Sequence, residues 1–535
     1  MRKGILLLFL CALMILCTSC ETADKVAERV KTNIEDIADG FSDTGQKEEP
    51  KPETENSIRI GIAEFDTFNP LLTKSQTVRE AMQTVFEPLF ETDEAMRTVP
   101  VLASEYSVTA DGLTYSITVK SDVLWHDGTQ FTAYDAAYTI KQLQSIKTVY
   151  SDNVSEIADC RAENRNTLKI VLKRPVMQFA ALLSFPIVPN GSDMSGAANY
   201  VPVGTGAFMF GSKSGIDEYT FNAYDMYHNG RAKTDRLYIR EAPDNERCCS
   251  MFNVSETDLL TSNEVNLMSY MPSGQIHVND FCSNKMTFAG FNLRSSAMAG
   301  TNTREGIAEL IDKKNIVDSV LYSRGVESDI AVNPYSWLYY DTNTDFRTNY
   351  ENAMALLGND GWGLNEDGIM QRTVNGRTEK LRPVILVNGD SDVKVKVAES
   401  IKNDLEKCGI KAVIDKEKYE RYVQKIAAHD FDVMIGEFDL GANQDIFLLA
   451  GSKNNYFSYG SEEADTLMAQ AGMMSNEESV KEIYKSLGEI LRRDAPFTPI
   501  YYAKESVLSS GKLKDGIYPS VTGFYRVSNI WSVLE

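Results

Sequence analysis

Three observations predict an α/β protein with mixed sheets flanked by helices. Between Pro383 and Gly436 short apolar strands alternate with amphipathic helices. Val384-Ile385-Leu386-Val387 is followed by Val393, Val397, Ile401 and Leu405 at every fourth residue, then by strands at 411–414 and 431–435 around a helix at 419–426. This alternation implies right-handed crossovers and a parallel sheet. From 111 to 148 the order is strand, short strand, helix. Leu113, Tyr115, Ile117 and Val119 alternate with polar residues, and Thr132 and Asp135 form a capping box ahead of the stripe Ala136, Ile140, Leu143 and Ile146. Finally, 535 residues with 43% hydrophobic and 24% charged side chains suffice for two or three domains with large cores.

The net charge of −22 argues against nucleic acid, which needs a basic face, and against an electrostatic hold on anionic lipid. Its simplest consequence is solubility.

In chain order, Arg2-Lys3 precedes an apolar run at 5–16 that is too short to span a bilayer as a mature helix. Thr18-Ser19 then precede Cys20, so 1–20 reads as a secretory signal. The small residues before Cys20 resemble the lipobox of bacterial lipoproteins, with Cys17 where that motif prefers Leu. The resemblance implies lipidation of Cys20; an ordinary cleavage site and an uncleaved anchor are the other readings. Residues 21–56 are charged and poor in aromatics, as expected of a disordered tether.

The body begins at Ser57 with the strand Ile58-Arg59-Ile60-Gly61-Ile62, a loop at Phe68-Asn69-Pro70 and a helix expected over 78–89. Residues 93–199 form a compact insertion, with strands at 113–119 and 167–172. The glycines of Val203-Gly204-Thr205-Gly206 allow a sharp bend, and without Walker spacing or a following lysine they are no phosphate cradle. Strands at 221–224 and 237–240 complete the first sheet, and a second domain opens near Phe288.

Several fragments occur in one order: Val85-Phe86-Glu87-Pro88-Leu89, Pro100-Val101-Leu102-Ala103-Ser104, Asp111-Gly112-Leu113-Thr114-Tyr115 and Trp125-His126-Asp127-Gly128-Thr129. Further on come Phe291-Asn292-Leu293, Gly361-Trp362-Gly363, Asn455-Tyr456 and Ala495-Pro496-Phe497-Thr498-Pro499-Ile500-Tyr501. Together they resemble the extracellular solute-binding protein family 5, the peptide- and nickel-binding proteins of ATP-driven importers. Ala136-Ala137 and Ala207 depart from its usual residues. The resemblance implies a periplasmic-binding-protein-like two-lobed fold (type II, cluster C) with an inserted subdomain. The first lobe is then expected over 57–92, 200–287 and 500–535, the insertion over 93–199 and the second lobe over 288–499.

In open parallel sheets ligands bind beyond the carboxyl ends of the strands. Glu437-Phe438-Asp439 lies there, with a carboxylate and a π face suited to an ammonium group. The resemblance agrees, since peptide-binding members place an aspartate here for the amino terminus. Gly441-Ala442-Asn443-Gln444 stands where many members have an acidic residue and Pro. Asp439 as a turn cap remains the alternative. The Phe68 loop is similar to the family's loop at the mouth of the cleft, Phe291-Asn292-Leu293 resembles its entry strand to the second domain, and Phe68 and Asn292 are expected to bind the ligand. Tyr335 and Trp337 either line a pocket or cover a domain edge.

No GxSxG is present, and carboxylate pairs such as Glu462-Glu463 and Glu477-Glu478 suit helix starts. His126, His228, His277 and His429 show no metal-ligand spacing, so neither metal nor cofactor is expected. His126 reads as a satisfied half-buried ring. Five cysteines lie outside the signal and lipidation residues, an odd number that leaves at least one without an internal disulfide.

The expected protein is therefore a lipid-anchored monomer on the extracytoplasmic face of a membrane. It captures oligo- or dipeptides by lobe closure, delivers them to ABC permease subunits, and is not an enzyme. A signalling-peptide receptor and a nickel or other small-solute binder share the fold; a surface hydrolase is the remaining reading.

Overall fold

The computed structural model describes residues 56–263, 267, 275–453, 455–474, 476–521 and 523–534. The expected signal, Cys20 and all of the tether except Asn56 lie outside the described residues.

One long mixed sheet organises the chain. Its strand order is Val413–Glu417, Val384–Asn388, Val433–Asp439, Ile276–Phe291, Phe497–Ser510, Leu259–Ser262, Ser57–Ala63, Arg236–Ala242, Glu218–Ala223 and Phe208–Ser214. The three strands at one end are parallel, as the alternation of strand and helix predicts. The inner two are apolar over Ile385–Val387 and Val433–Ile435, where both faces are covered, whereas the edge strand turns polar at Asp415–Glu417. Ile385 and Val387 enter one core with Ile401 and Leu405, while Leu386 enters another with Phe288 and Met434. The helix Asp392–Lys407 ends at Gly409, whose positive φ of 79° closes it.

Two antiparallel strands, Ile276–Phe291 and Phe497–Ser510, run the length of both lobes. Between Cys282 and Met286 the first strand carries an irregularity, pairing with Lys504 and Tyr502 respectively. Extra residues on one strand bend it and leave their own groups unpaired in the ladder. The expected boundaries at 288 and 499 thus fall inside strands, a little beyond this bend.

The insertion has its own antiparallel sheet, in the order Ala103–Val108, Thr114–Val119, Thr167–Leu172, Ile157–Ala162. Tyr115, Ile117 and Val119 are its buried face, as the period of two predicts. Its helix Ala133–Ser145 starts where the Thr132 N–H donates to Asp135 at 2.8 Å. The insertion shares one core with the first lobe, reaching from Ile58 to Trp531.

Two local expectations change. The helix expected over 78–89 is Gln76–Ala81 with one 3-10 turn, Met82–Thr84. The chain then extends, because Pro88 disfavours helix at the residue before it and because Glu87 turns inward. There the buried carboxylate accepts from Thr205 Oγ1 at 2.8 Å, Tyr227 Oη at 2.9 Å and His228 Nε2 at 2.9 Å. Glu87 thus ties the helix end to the Gly204–Gly206 segment. The second change concerns Gly204 and Gly206, whose role is close approach rather than an unusual bend. A Cβ on Gly204 would stand 1.8 Å from the Val85 carbonyl oxygen, and one on Gly206 would stand 2.6 Å from that of Thr84. His126 clamps the same segment, accepting from Gly204 N at Nδ1 (3.2 Å) and donating from Nε2 to Gly206 O (2.9 Å). That pattern requires a neutral ring, and burial accordingly pushes its pKa down to about 4.

Gly204→Ala should therefore cost roughly 3 kcal/mol, because the clash is with backbone that cannot rotate away. A urea midpoint within error of the wild type would contradict this packing.

Candidate functional site

A cavity of about 740 Å³ lies between the lobes. Its floor is the bend in the crossing strands, where Phe281, Ser283, Asn284, Lys285 and Glu505 face it. The first lobe contributes Gln76, Arg79, Glu80 and Phe86, and the chain end contributes Phe524 and Arg526. The insertion supplies Tyr150, Asn153, Glu156, Arg174 and Ser184, and the second lobe supplies residues 438–443, Asp445 and Leu448. Six carboxylates and four basic side chains line it.

Asp439 and Phe438 line this cavity, but they end a strand rather than follow one. Val433–Asp439 continues past Ile435 because it pairs with the crossing strand, Lys285 opposite Asp439. The Lys285 ammonium is held by Glu505 at 2.9 Å. Burial works against its charge, yet Glu505, Glu437 and Asp439 together hold its pKa above the usual lysine value. Asp439 also accepts from Gly441 N at 2.8 Å, so both expected roles, cavity carboxylate and turn cap, describe its position.

The turn beyond it is locked by amides instead of by a proline. Asn284 donates to Gly441 O at 2.7 Å and accepts from Asn333 Nδ2 and Gln444 Nε2, each at 2.9 Å. Tyr484 Oη closes the network on Gln444 O at 2.7 Å. All three amide side chains are buried, so this network fixes residues 440–444 with little freedom. Isolated Asn and Gln residues in a sequence carry no signal that they will meet.

The other four expected site residues lie elsewhere. Phe68 is buried against Tyr219 and Phe65, with ring centroids 4.7 Å away in each case. Its loop reaches the cavity through Pro70 instead. Asn292 is buried and donates to His429 O and Phe431 O at 2.9 and 2.8 Å, fixing the turn before the last parallel strand. Tyr335 lines an adjoining cavity of about 430 Å³, which shares Phe281, Ser520 and Val521 with the first. Trp337 packs beside Leu338 and Tyr484, and its backbone N–H donates to Ala95 O at 2.8 Å, joining the second lobe to the insertion.

More contacts join the same two bodies. Asn443 Nδ2 donates to Met177 O at 3.0 Å. Arg174 stands 3.3 Å from Glu156 and 3.9 Å from Asp445, with its guanidinium 4.3 Å from the centre of the Phe447 ring. Burial pushes the Asp445 carboxyl up, against Arg174 and the Phe447 N–H.

No histidine or cysteine is among the described lining residues. Among the described residues no group of three or more His, Cys, Asp or Glu could hold a metal, and no disulfide joins the cysteines. Burial pushes the thiols of Cys160, Cys248 and Cys282 up to about 12, so they stay protonated and inert.

Glu80 stands where burial disfavours its charge. Burial raises its pKa above 4.5, the adjacent Glu505 adds to this, and the Gln76 amide, 2.8 Å away, opposes it. A carboxyl with a raised folded pKa contributes stability that is complete below its ordinary value and is lost as pH rises through the raised one. Glu80→Gln should therefore melt higher than the wild type at pH 7, with the gain vanishing below about pH 4. Melting curves across that range check it, and a gain independent of pH would refute the assignment.

The sequence of residues 97–457 matches the family described as bacterial extracellular solute-binding proteins, family 5. The oligopeptide-binding protein AppA of Bacillus subtilis (strain 168) is 24% identical over 521 residues, covering 91% of this chain and 94% of that protein. Heme-binding protein A of Haemophilus influenzae is 24% identical over 513 residues, covering 86% and 90%. In three dimensions the fold is similar to that of HbpA2 from Haemophilus parasuis, with a TM-score of 0.78, 19% identity and coverage of 90% and 100%. It is also similar to AppA in complex with a nonapeptide, with a TM-score of 0.62, 21% identity and coverage of 91% and 100%. With the matched region spanning most of both lobes, the chain belongs to the bacterial extracellular solute-binding proteins of family 5.

Proposed function

We propose that this protein captures peptides between its lobes and delivers them to the membrane subunits of an ABC importer. In this reading it is anchored by a lipid on Cys20 and does no chemistry on its ligand. The observation that carries the reading is the cavity itself, bounded by both lobes and floored by the strands that join them. Such a site can open and close by bending two strands, and closure surrounds whatever it holds. At about 740 Å³ the cavity falls within the ~300–1,000 Å³ usual for small-ligand sites. Its mixed charge suits a zwitterion better than an apolar solute. The oligopeptide-binding relative supports the same ligand class.

Asp439 is the group proposed for the ligand's amino terminus, with Phe438 beside it. A pool of alanyl and phenylalanyl di- to pentapeptides should raise the melting temperature, by about 2.7 kcal/mol of stabilisation at a hundredfold excess over Kd. Asp439→Asn should weaken peptides with free amino termini roughly tenfold, and N-acetylated peptides hardly at all. If no peptide stabilises the protein, the peptide reading fails. If the variant weakens both kinds of peptide alike, Asp439 serves the turn and not the ligand.

A further inference from the structure

Resting on the reading that the lobes close around a ligand, we propose that residues 174–178 of the insertion form a latch, with Met177 as its key and the second lobe as its socket. The latch holds the lobes shut through contacts that belong to the protein alone, and so sets how readily the site opens to any ligand.

Successive side chains of this segment belong to different bodies. Val176 and Phe179 are buried in the core that the insertion shares with the first lobe. Met177, between them, is 3% exposed and packs in a separate cluster with Ile330, Val332, Leu338, Ala471, Val480 and Tyr484. It is the one described residue of that cluster from outside the second lobe. An unbranched thioether fills such a socket without demanding a single shape.

Polar and backbone contacts seat the key. Asn443 Nδ2 donates to Met177 O at 3.0 Å, and Gln178 Nε2 donates to Asn443 O at 3.5 Å. Gln178 has a φ of 44°, a conformation that a residue with a side chain keeps only where its surroundings hold it. Pro175 approaches Gly472 so closely that a Cβ there would stand 3.0 Å from the Pro175 carbonyl carbon. A Cβ on Gly112 would likewise stand 3.0 Å from Gly472 O. The two glycines thus let the insertion and the second lobe meet backbone to backbone.

The latch lies where opening must part it. Arg174 and Val176 line the cavity from the insertion, Asn443 and Asp445 from the second lobe, and Met177 ties these two walls together. Drawing the walls apart pulls Met177 out of its socket into water. Burial of a methionine side chain favours the seated form by roughly ten- to a hundredfold. Tyr484 of the socket also donates to Gln444 O at 2.7 Å, so the socket and the turn beyond Asp439 move as one.

The test is a distance measurement by pulsed electron paramagnetic resonance on the full chain. Spin labels are attached through p-acetylphenylalanine at the exposed positions Ala110 and Lys485, which spares the native cysteines. Without peptide the wild type should give one short distance. In Met177→Asp, whose charge the apolar socket does not admit, a longer distance should dominate. Gly472→Val should do the same by displacing Pro175 without touching Met177, and it carries the test if Met177→Asp fails to fold. Met177→Leu, apolar and of similar volume, should stay closed. Melting curves show which variants fold. A short distance that persists in folded Met177→Asp, or a wild type that is mostly open, overturns the latch and leaves the peptide reading standing. Opening in Gly472→Val but not in Met177→Asp overturns Met177 as the key. If the variants open while the pool of alanyl and phenylalanyl di- to pentapeptides leaves the melting of the wild type unchanged, the latch stands and the peptide reading fails.

Discussion

The ladder between Ile276–Phe291 and Phe497–Ser510 is the constraint on which the rest of the structure depends. Its partners run from Ile276 opposite Ser510 to Gly290 opposite Phe497. At one end Phe497–Ser510 pairs with Leu259–Ser262 of the first lobe, and at the other Ile276–Phe291 pairs with Val433–Asp439 of the second. Neither lobe can leave the other without breaking a run of hydrogen bonds, interrupted by register shifts at Cys282/Met286 and Thr287/Phe288, each bond worth about 1 kcal/mol net. Bending at the irregularity between Cys282 and Met286 breaks none of the flanking pairs. The same irregularity takes Ser283, Asn284 and Lys285 out of register with the neighbouring strand, and these residues face the cavity. The device that lets the lobes move also supplies polar groups at the place where they meet.

This coupling explains why the site is built from residues so far apart in sequence. Lys285 meets Glu505 because their strands are neighbours, and Asp439 meets Lys285 because the last parallel strand borders the crossing strand. Asn284 fixes the 440–444 turn from the crossing strand, so a movement of that strand carries the turn with it. On the far side of the cavity, Arg174, Asn443 and Trp337 join the insertion to the second lobe by one ion pair and two hydrogen bonds, of which the Asn443 bond to Met177 O is buried.

What the sequence shows follows from what is local. The alternation at 384–435, the capping box at Thr132 and the period of two at 113–119 are set by neighbours within a few residues, and each appears in the structure. Asp439 is placed at the cavity by a rule about the ends of parallel strands, which needs only the order of elements. The misplaced residues share a different cause. Phe68 and Asn292 are expected at the ligand from the family's loop and entry strand, but the place of a ring and an amide is decided by packing. Phe68 finds Tyr219, and Asn292 finds two carbonyls of the turn 429–431. Glu87, Gln444 and Arg526 escape a reading of the sequence for the same reason. Their partners are 118, 160 and 342 residues away, and no periodicity links such positions.

The buried charges divide by whether their bonds are complete. Glu87 is sunk in the first lobe with Thr205, Tyr227 and His228 all pointing at it, and it holds two segments together. Arg526 is about as deeply buried, but Nε and Nη1 lack acceptors. A buried ion whose bonds are satisfied at home specifies structure; one whose bonds are left open weakens the fold unless something else supplies them. Glu80 accepts from the Gln76 amide, but burial beside Glu505 pushes its carboxyl up. Glu80 and Arg526 line the cavity, and Glu87 is not among its described lining residues. Selection for stability alone would replace Glu80 and Arg526 with neutral side chains. Their place around a cavity rather than in the core sets the cavity wall apart from the scaffold by physical criteria alone.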